Sequence, residues 1–242
     1  MKKPNLFIIG PPRSGTTSLY KYLSEHPEIF MSPNKEPDFF SDYRNDLSIK
    51  ELQEYEKLFN EVKSEKIIGE ASPNYIFSPN APKKIFEYNP KAKIISIVRD
   101  SNEAIVSYFK LIAIEKRLHP QIDWDNIAPH WEIYDYKTNL ARWRKIFPRK
   151  QILLLDFKEF SEDTKKVYKK VLDFLGVNDD GRIDFKIYQE SYIPQSKKIE
   201  LIHHWVASHE RIKSFLKIFL PKSIYLKIIK FNKQSDKTNL KR

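Results

Sequence analysis

Nine consecutive residues, Gly10-Pro11-Pro12-Arg13-Ser14-Gly15-Thr16-Thr17-Ser18, combine the side chains and spacing of an anion cradle. The chain holds only five glycines, and two of them bracket this loop. The loop follows the apolar run Leu6-Phe7-Ile8-Ile9 and leads into a stretch of helical period. In that context main-chain N–H groups and a helix N-terminus hold an anion, with Thr and Ser hydroxyls as added donors. The glycine spacing is that of a nucleoside-triphosphate loop, but Thr16 and Thr17 stand where that loop carries Lys and then Ser or Thr. The cation lies inside the loop, at Arg13, which suits one anionic group at the helix end better than a triphosphate with magnesium.

Two other places carry candidate chemistry. Arg99 ends an apolar run, and Ser107 stands eight residues on, in a helical segment. A guanidinium at a strand end and a hydroxyl two turns into the next helix can converge on one phosphate. The segment Lys35-Glu36-Pro37-Asp38-Phe39-Phe40 offers a carboxylate beside two apolar rings, a setting that raises a carboxyl pKa toward that of a useful base. Read alone, Lys35-Glu36 is also a solvated helix start before Pro37.

Together these residues resemble a family. Arg13 to Ser18, followed by Leu19, Leu23 and His26-Pro27, are similar to the 5′-phosphosulfate loop of sulfotransferases that use 3′-phosphoadenosine 5′-phosphosulfate (PAPS). Ile97-Val98-Arg99-Asp100 with Ser107-Tyr108-Phe109 resembles the family's 3′-phosphate site, with Ser101 and Ala104 standing where the family usually has Pro and a second Arg. Lys35-Glu36-x-x-Phe39-Phe40 resembles an element of the carbohydrate (heparan-sulfate-type) group, in which the Glu is the base. More loosely, Glu70-Ala71-Ser72-Pro73-Asn74-Tyr75 also matches, with Ala71 where glycan enzymes often have Lys. The resemblance implies PAPS as co-substrate, bound by Arg13, Ser14, Gly15, Thr16, Thr17, Ser18, Arg99 and Ser107. It implies Glu36 as base, with Lys35 or Arg13 stabilising the leaving phosphate and no metal required. The acceptor it implies is a hydroxyl or amine of a glycan or glycolipid.

These residues need a scaffold. Four apolar, β-branched runs read as buried parallel strands: 5–9, 66–69, 93–98 and 151–157. Helical periods cover 18–24, 49–59, 82–88, 102–115, 134–147, 164–175 and 199–220. Strand alternating with helix predicts an α/β fold, a P-loop NTPase-like parallel sheet flanked by helices, with a helical C-terminal part. We expect one domain over residues 1–231 and a frayed, basic polar tail over 232–242. Tyr43, Tyr75, Phe77, Trp124 and Trp131 are candidates for an acceptor cleft, with core packing as the other use of such rings. Lys197 and Lys198 fall where the family closes a loop over the nucleotide.

Composition removes other classes. With no cysteine among 242 residues, disulfide scaffolds, thiolate metal sites and Cys nucleophiles are excluded. With 16 Phe, 13 Tyr, 4 Trp and 40% apolar residues, the chain has the means to build a core. The six histidines form no ligand pattern, and His130 is held only as a reserve base. No nucleophile elbow supports a hydrolase. The net charge of +11 is concentrated beyond residue 210, where ten basic residues face Asp236 alone. That distribution argues against nucleic acid as a partner and allows weak contact with a membrane surface through the basic C-terminal segment. Without a signal-peptide core or a long apolar run, we expect a cytoplasmic protein, peripheral to the membrane at most. Two other readings stay open: a nucleoside or small-molecule kinase with an atypical loop, and a non-catalytic protein that sits on anionic surfaces through its tail.

Overall fold

The computed structural model describes residues 2–43, 48–99, 136–186 and 188. By its internal contacts the chain divides into two units, Met1–Ala104 with His130–Glu190 and Ile105–Pro129 with Ser191–Arg242, and every described residue belongs to the first. The helices expected at 102–115 and 199–220, and the boundary expected at 231, lie outside the described residues.

Five strands form one parallel sheet in the order β2-β3-β1-β4-β5: β1 Leu6–Ile8, β2 Ile29–Met31, β3 Ile67–Ala71, β4 Lys93–Val98 and β5 Ile152–Asp156. The described helices are α1 Thr16–Ser24, α2 Leu52–Lys57, α3 Ala81–Tyr88, α4 Tyr136–Ile146, α5 Phe157–Glu162 and α6 Thr164–Leu175. Short 3-10 turns occupy Pro73–Ile76 and Arg149–Gln151. The expected parallel sheet with flanking helices is therefore present, with a fifth strand, β2, that three residues of sequence did not reveal. The helix expected over 49–59 is shorter, and the run 151–157 ends in a separate helix, α5. There Asp156 accepts a hydrogen bond from the Glu159 N–H at 2.9 Å and caps the new element.

The centre of the sheet explains both cores. Alternation along β1 sends Leu6 and Ile8 to one face and Phe7 to the other. On the first face Leu6 and Ile8 join Leu19, Tyr22 and Leu23 of α1, Ile95 and Ile97 of β4, and Val171 and Leu172 of α6 in one buried cluster. Burying a side chain of this size contributes roughly 1.5 to 3 kcal/mol. On the second face Phe7 meets Phe40 edge-on at 5.9 Å, and Phe40 in turn contacts Tyr55, Tyr75 and Tyr88. Residues paired across a sheet share a face, and Phe7 pairs with Glu70. The pairing delivers a carboxyl into this aromatic layer.

Helix ends follow local rules. Asp163 caps α6 by accepting from the Lys166 N–H at 3.0 Å. Gly176, at φ 75°, stops it, with the N–H groups of Gly176 and Val177 returning to the Leu172 carbonyl.

Candidate active site

Because all five strands are parallel, their carboxyl ends form one edge, and every loop of interest leaves from it. β1 leads to the loop before α1, β2 to the segment holding Lys35 and Glu36, β3 to Ser72, β4 to Arg99 and β5 to Phe157. From β1 the chain goes to the edge strand β2 and returns to β3 between them, then crosses to the other side of β1 for β4 and β5. Ligands of open α/β sheets bind at such a reversal, beyond the strand ends.

The loop after β1 is held closely. The Ser96 hydroxyl donates to the Gly10 carbonyl at 3.0 Å. A Cβ on Gly10 would fall 2.3 Å from the Pro73 carbonyl oxygen, so only glycine lets the two chains approach. Gly15 has φ 82°, and a Cβ there would meet the Phe160 ring at 2.9 Å. Ser14 is fully buried, yet its Oγ has no hydrogen-bond partner among the described residues. A buried hydroxyl without a partner is costly unless a ligand supplies one, so the loop fits the anionic group expected of it. Thr16 is buried and Thr17 partly so, at the first turn of α1.

Two cations meet at this loop. The Arg99 guanidinium donates to the Arg13 carbonyl at 3.3 Å and lies over the Phe157 ring at 4.4 Å. Burial, and then the charge of Arg99, lower the pKa of Arg13. Like charges held close are repaid when an anion lies between or beside them. Arg13 itself is left-handed, at φ 65°.

Ser18 is placed differently from the expectation. Its Oγ donates to the Tyr188 carbonyl and accepts from the Tyr188 N–H, each at 3.2 Å, so the hydroxyl ties α1 to a residue 170 positions away. Ser107 lies outside the described residues, as do His130, Trp124, Trp131, Lys197 and Lys198. Of the other aromatic candidates, Tyr43 is exposed, whereas Tyr75 and Phe77 are buried in the core. Among the described residues no group of three or more acidic or histidine side chains is placed to hold a metal ion.

Lys35 and Glu36 form an ion pair at the strand edge, and the Glu36 side chain is 44% exposed. The Glu36 N–H donates to the Ala71 carbonyl at 3.0 Å, which fastens this residue to the end of β3. The Phe39 and Phe40 rings are engaged elsewhere, Phe39 stacked on Tyr55 at 4.7 Å and Phe40 in the aromatic layer. The carboxyls raised by burial are instead Asp38, pushed up to about 6, and Glu70, pushed up to about 7. Sequence reading did not single out either one. Asp38 lies two residues from Glu36, and only the register of β3 against β1 shows that Glu70 points inward. Glu36 and Asp38 both adopt left-handed backbone, at φ 63° and 50°, where non-glycine residues cost free energy and cluster at functional sites.

Fold and edge geometry define an α/β nucleotide-site protein of the P-loop type. The chain matches the model of the sulfotransferase domain over residues 3–219 and belongs to the sulfotransferase family. Among curated relatives, it is 30% identical over 199 residues to the mouse bifunctional heparan sulfate N-deacetylase/N-sulfotransferase 1, covering 72% of this chain and 22% of that protein. It is 28% identical over 207 residues to the human bifunctional heparan sulfate N-deacetylase/N-sulfotransferase 3, with the same coverage. The chain thus spans about a fifth of the length of these relatives. A sulfotransferase from Alicyclobacillus acidocaldarius superimposes with a TM-score of 0.64 at 26% identity, covering 93% of this chain and 99% of that one. The sulfotransferase domain of the curacin biosynthetic pathway shares the fold, with a TM-score of 0.53 at 16% identity over 74% of this chain and 76% of that one. Sulfotransferases of this family use PAPS.

Proposed function

We propose that this chain transfers a sulfuryl group to a hydroxyl or amine of a glycan, with PAPS as the donor. The observation that carries the reading is the buried Ser14 hydroxyl, without a hydrogen-bond partner among the described residues, in a glycine-bracketed loop beside Arg13 and Arg99. PAPS, when bound, supplies the activated sulfuryl group. Gly10 to Thr17 hold its 5′ end with main-chain N–H groups and hydroxyls, while Arg99 and Ser107 take the 3′-phosphate. Glu36 accepts the proton of the acceptor as the new bond to sulfur forms and the bond to the 5′-phosphate oxygen breaks. Arg13 and Lys35 meet the charge that develops on the departing phosphate. Similarity to relatives named for heparan sulfate N-sulfotransfer supports a glycan acceptor. These side-chain cations provide the charge without calling on a metal.

The kinase reading lacks its lysine: Thr16 stands in that position. Thermal melting separates the two. Adenosine 3′,5′-bisphosphate should raise the melting temperature in proportion to the logarithm of its concentration over Kd, ATP with magnesium much less, and chelation should change neither. Stabilisation by ATP only when magnesium is present would overturn the sulfotransferase reading.

The basic segment beyond residue 210 gives this protein, placed in the cytoplasm, a weak attraction to anionic membrane surfaces. Among the described residues no helix is long and apolar enough to cross a membrane. Failure of vesicles with anionic lipid to retain the protein at low salt would remove the surface contact from the scheme.

A further inference from the structure

The segment carrying Glu36 is stitched to the chain after β3 almost residue by residue. Beyond the bond from the Glu36 N–H to Ala71, the Asp38 N–H donates to the Ser72 hydroxyl at 3.2 Å, and the Phe40 N–H donates to the Tyr75 hydroxyl at 3.3 Å. The Asn74 amide donates to Asp38 Oδ2 at 3.0 Å, and the Ser78 hydroxyl accepts from the Asp42 N–H at 3.0 Å. The hydroxyls that receive the Asp38 and Phe40 amides pass their own protons to one group. Ser72 Oγ donates to Glu70 Oε2 at 2.6 Å, and Tyr75 donates to Glu70 Oε1 at 2.8 Å, where Tyr55 also donates at 3.0 Å. Glu70 is fully buried, and proposed catalysis makes no use of it.

We propose that Glu70 is a positioning residue for the Glu36 loop: as a carboxylate it orients the Ser72 and Tyr75 hydroxyls so that their lone pairs hold the Asp38 and Phe40 amides. The proposal rests on the sulfotransferase reading for what the loop does, and on hydrogen-bond geometry alone for how the loop is held.

The direction of the bonds follows from donor counting. Each hydroxyl has one proton. An amide N–H can only donate, so Ser72 and Tyr75 accept from the amides and have their protons free for Glu70. Burial and the neighbouring Glu70 charge push both Tyr55 and Tyr75 well up, so both phenols keep their protons and remain donors. Three donors converge on two oxygens, a set that a carboxylate satisfies in full. A protonated Glu70 brings a fourth proton into the same space. One hydroxyl then turns away, and if it is Ser72 or Tyr75, the lone pair that held an amide is redirected. Chains of this kind polarise each member, so the loss at one link weakens the next. The ionisable groups facing Glu70 are Tyr55 from α2, Tyr75 from the turn after β3 and Asp38 from the loop, with Tyr88 of α3 and Glu56 behind Tyr55 and with Lys35 and Glu36 beyond Asp38. Burial raises both Glu70 and Asp38, the Asp38 charge adds to the rise at Glu70 and the Glu36 charge to that at Asp38, so the loop becomes anchored as pH rises through neutrality.

The test reads amide exchange, nucleotide affinity and turnover on the full chain. In Glu70→Gln, protection of the Asp38 and Phe40 amides at pH 8 should fall by about tenfold or more, the loss expected of one hydrogen bond or slightly more. Turnover should fall with it, and the Kd for adenosine 3′,5′-bisphosphate should stay within about twofold, because the Arg13 loop is held by other contacts. In the unaltered chain, protection corrected for intrinsic rates should decline as pH drops through about 7, and Glu70→Gln should abolish that dependence. Ser72→Ala, a small truncation that keeps Glu70, should expose the Asp38 amide and leave Phe40 protected. Glu70→Asp should restore part of both. Unchanged protection at Asp38 and Phe40 in folded Glu70→Gln or in Ser72→Ala overturns the proposal. If protection changes as expected in a chain that sulfates no acceptor, the anchoring stands and the proposed activity falls.

Discussion

Arg99 reaches across the carboxyl edge of the sheet to the carbonyl of Arg13, 86 residues earlier, with a guanidinium nitrogen 3.3 Å from the oxygen. One side chain therefore braces the loop after β1. The Arg99→Ala variant should weaken adenosine 5′-phosphate somewhat, through the loosened loop. It should weaken adenosine 3′,5′-bisphosphate further, by roughly 1.5 to 3 kcal/mol for the lost charge-assisted bond. Calorimetry on the two ligands separates the contributions, and equal losses would leave Arg99 with the bracing role alone.

Replacing Glu36 by Gln keeps the shape and removes the proton-accepting charge. Sulfuryl transfer should drop on the order of 10²- to 10⁴-fold, while the affinity for adenosine 3′,5′-bisphosphate stays nearly constant. Normal turnover in Glu36→Gln would pass the base to another group.

Two glycines test backbone geometry against backbone approach. Gly176 has φ 75°, and among the described residues nothing but the Lys93 ammonium, at 4.0 Å, approaches its missing Cβ. Gly176→Ala should cost only the left-handed strain, about 1 to 2 kcal/mol. At Gly10 the Cβ would lie 2.3 Å from main-chain oxygen of Pro73, which cannot swing aside. Gly10→Ala should lower the denaturation midpoint by more than Gly176→Ala and weaken nucleotide binding as well, since β1 and the cradle must part from Pro73. Equal midpoints for the two variants would show that the Pro73 segment yields freely.

Stability should fall, not rise, as pH increases through neutrality, insofar as Asp38 and Glu70 control it. Their folded-state values, about 6 and about 7, lie above the ordinary Asp and Glu values of 3.8 and 4.5, so the folded chain binds more protons between these limits. Stability from this source is fully present below the unfolded values and is lost as pH rises through about 6 and then about 7. Glu70→Gln and Asp38→Asn should each flatten the curve of melting temperature between pH 5 and 8. Retention of the full slope in the double variant would place the dependence elsewhere. The same carboxylate charge that anchors the Glu36 loop thus opposes overall stability, a trade expected where function needs a buried charge.

The sequence by itself determined the parts of this protein that depend on neighbours along the chain. Apolar runs marked β1, β3, β4 and β5: β1, β3 and most of β4 are buried on both faces, and β5 carries three successive leucines, so no alternation masks them. Asp163 and Gly176 bounded α6, where a cap and a left-handed stop act within a few residues. The loop from Gly10 to Ser18 was legible because a phosphate cradle is built from consecutive main-chain groups. Tertiary structure alone decided what depended on distant pairing. The three-residue strand β2 has its identity only through its register with β3. Ser18, which by type belongs with the cradle hydroxyls, is claimed by Tyr188, and Tyr75 is a buried donor, not a cleft wall. Phe7 against Glu70 is the clearest case. A glutamate in an apolar run reads equally as a solvent-facing residue, and only the side-by-side pairing of β1 and β3 turns it into the aromatic layer under Asp38 and Phe40. Hydrogen bonds between residues more than 30 positions apart leave no periodic trace in a sequence, since their cost and gain are set by chain closure and burial, not by local conformation.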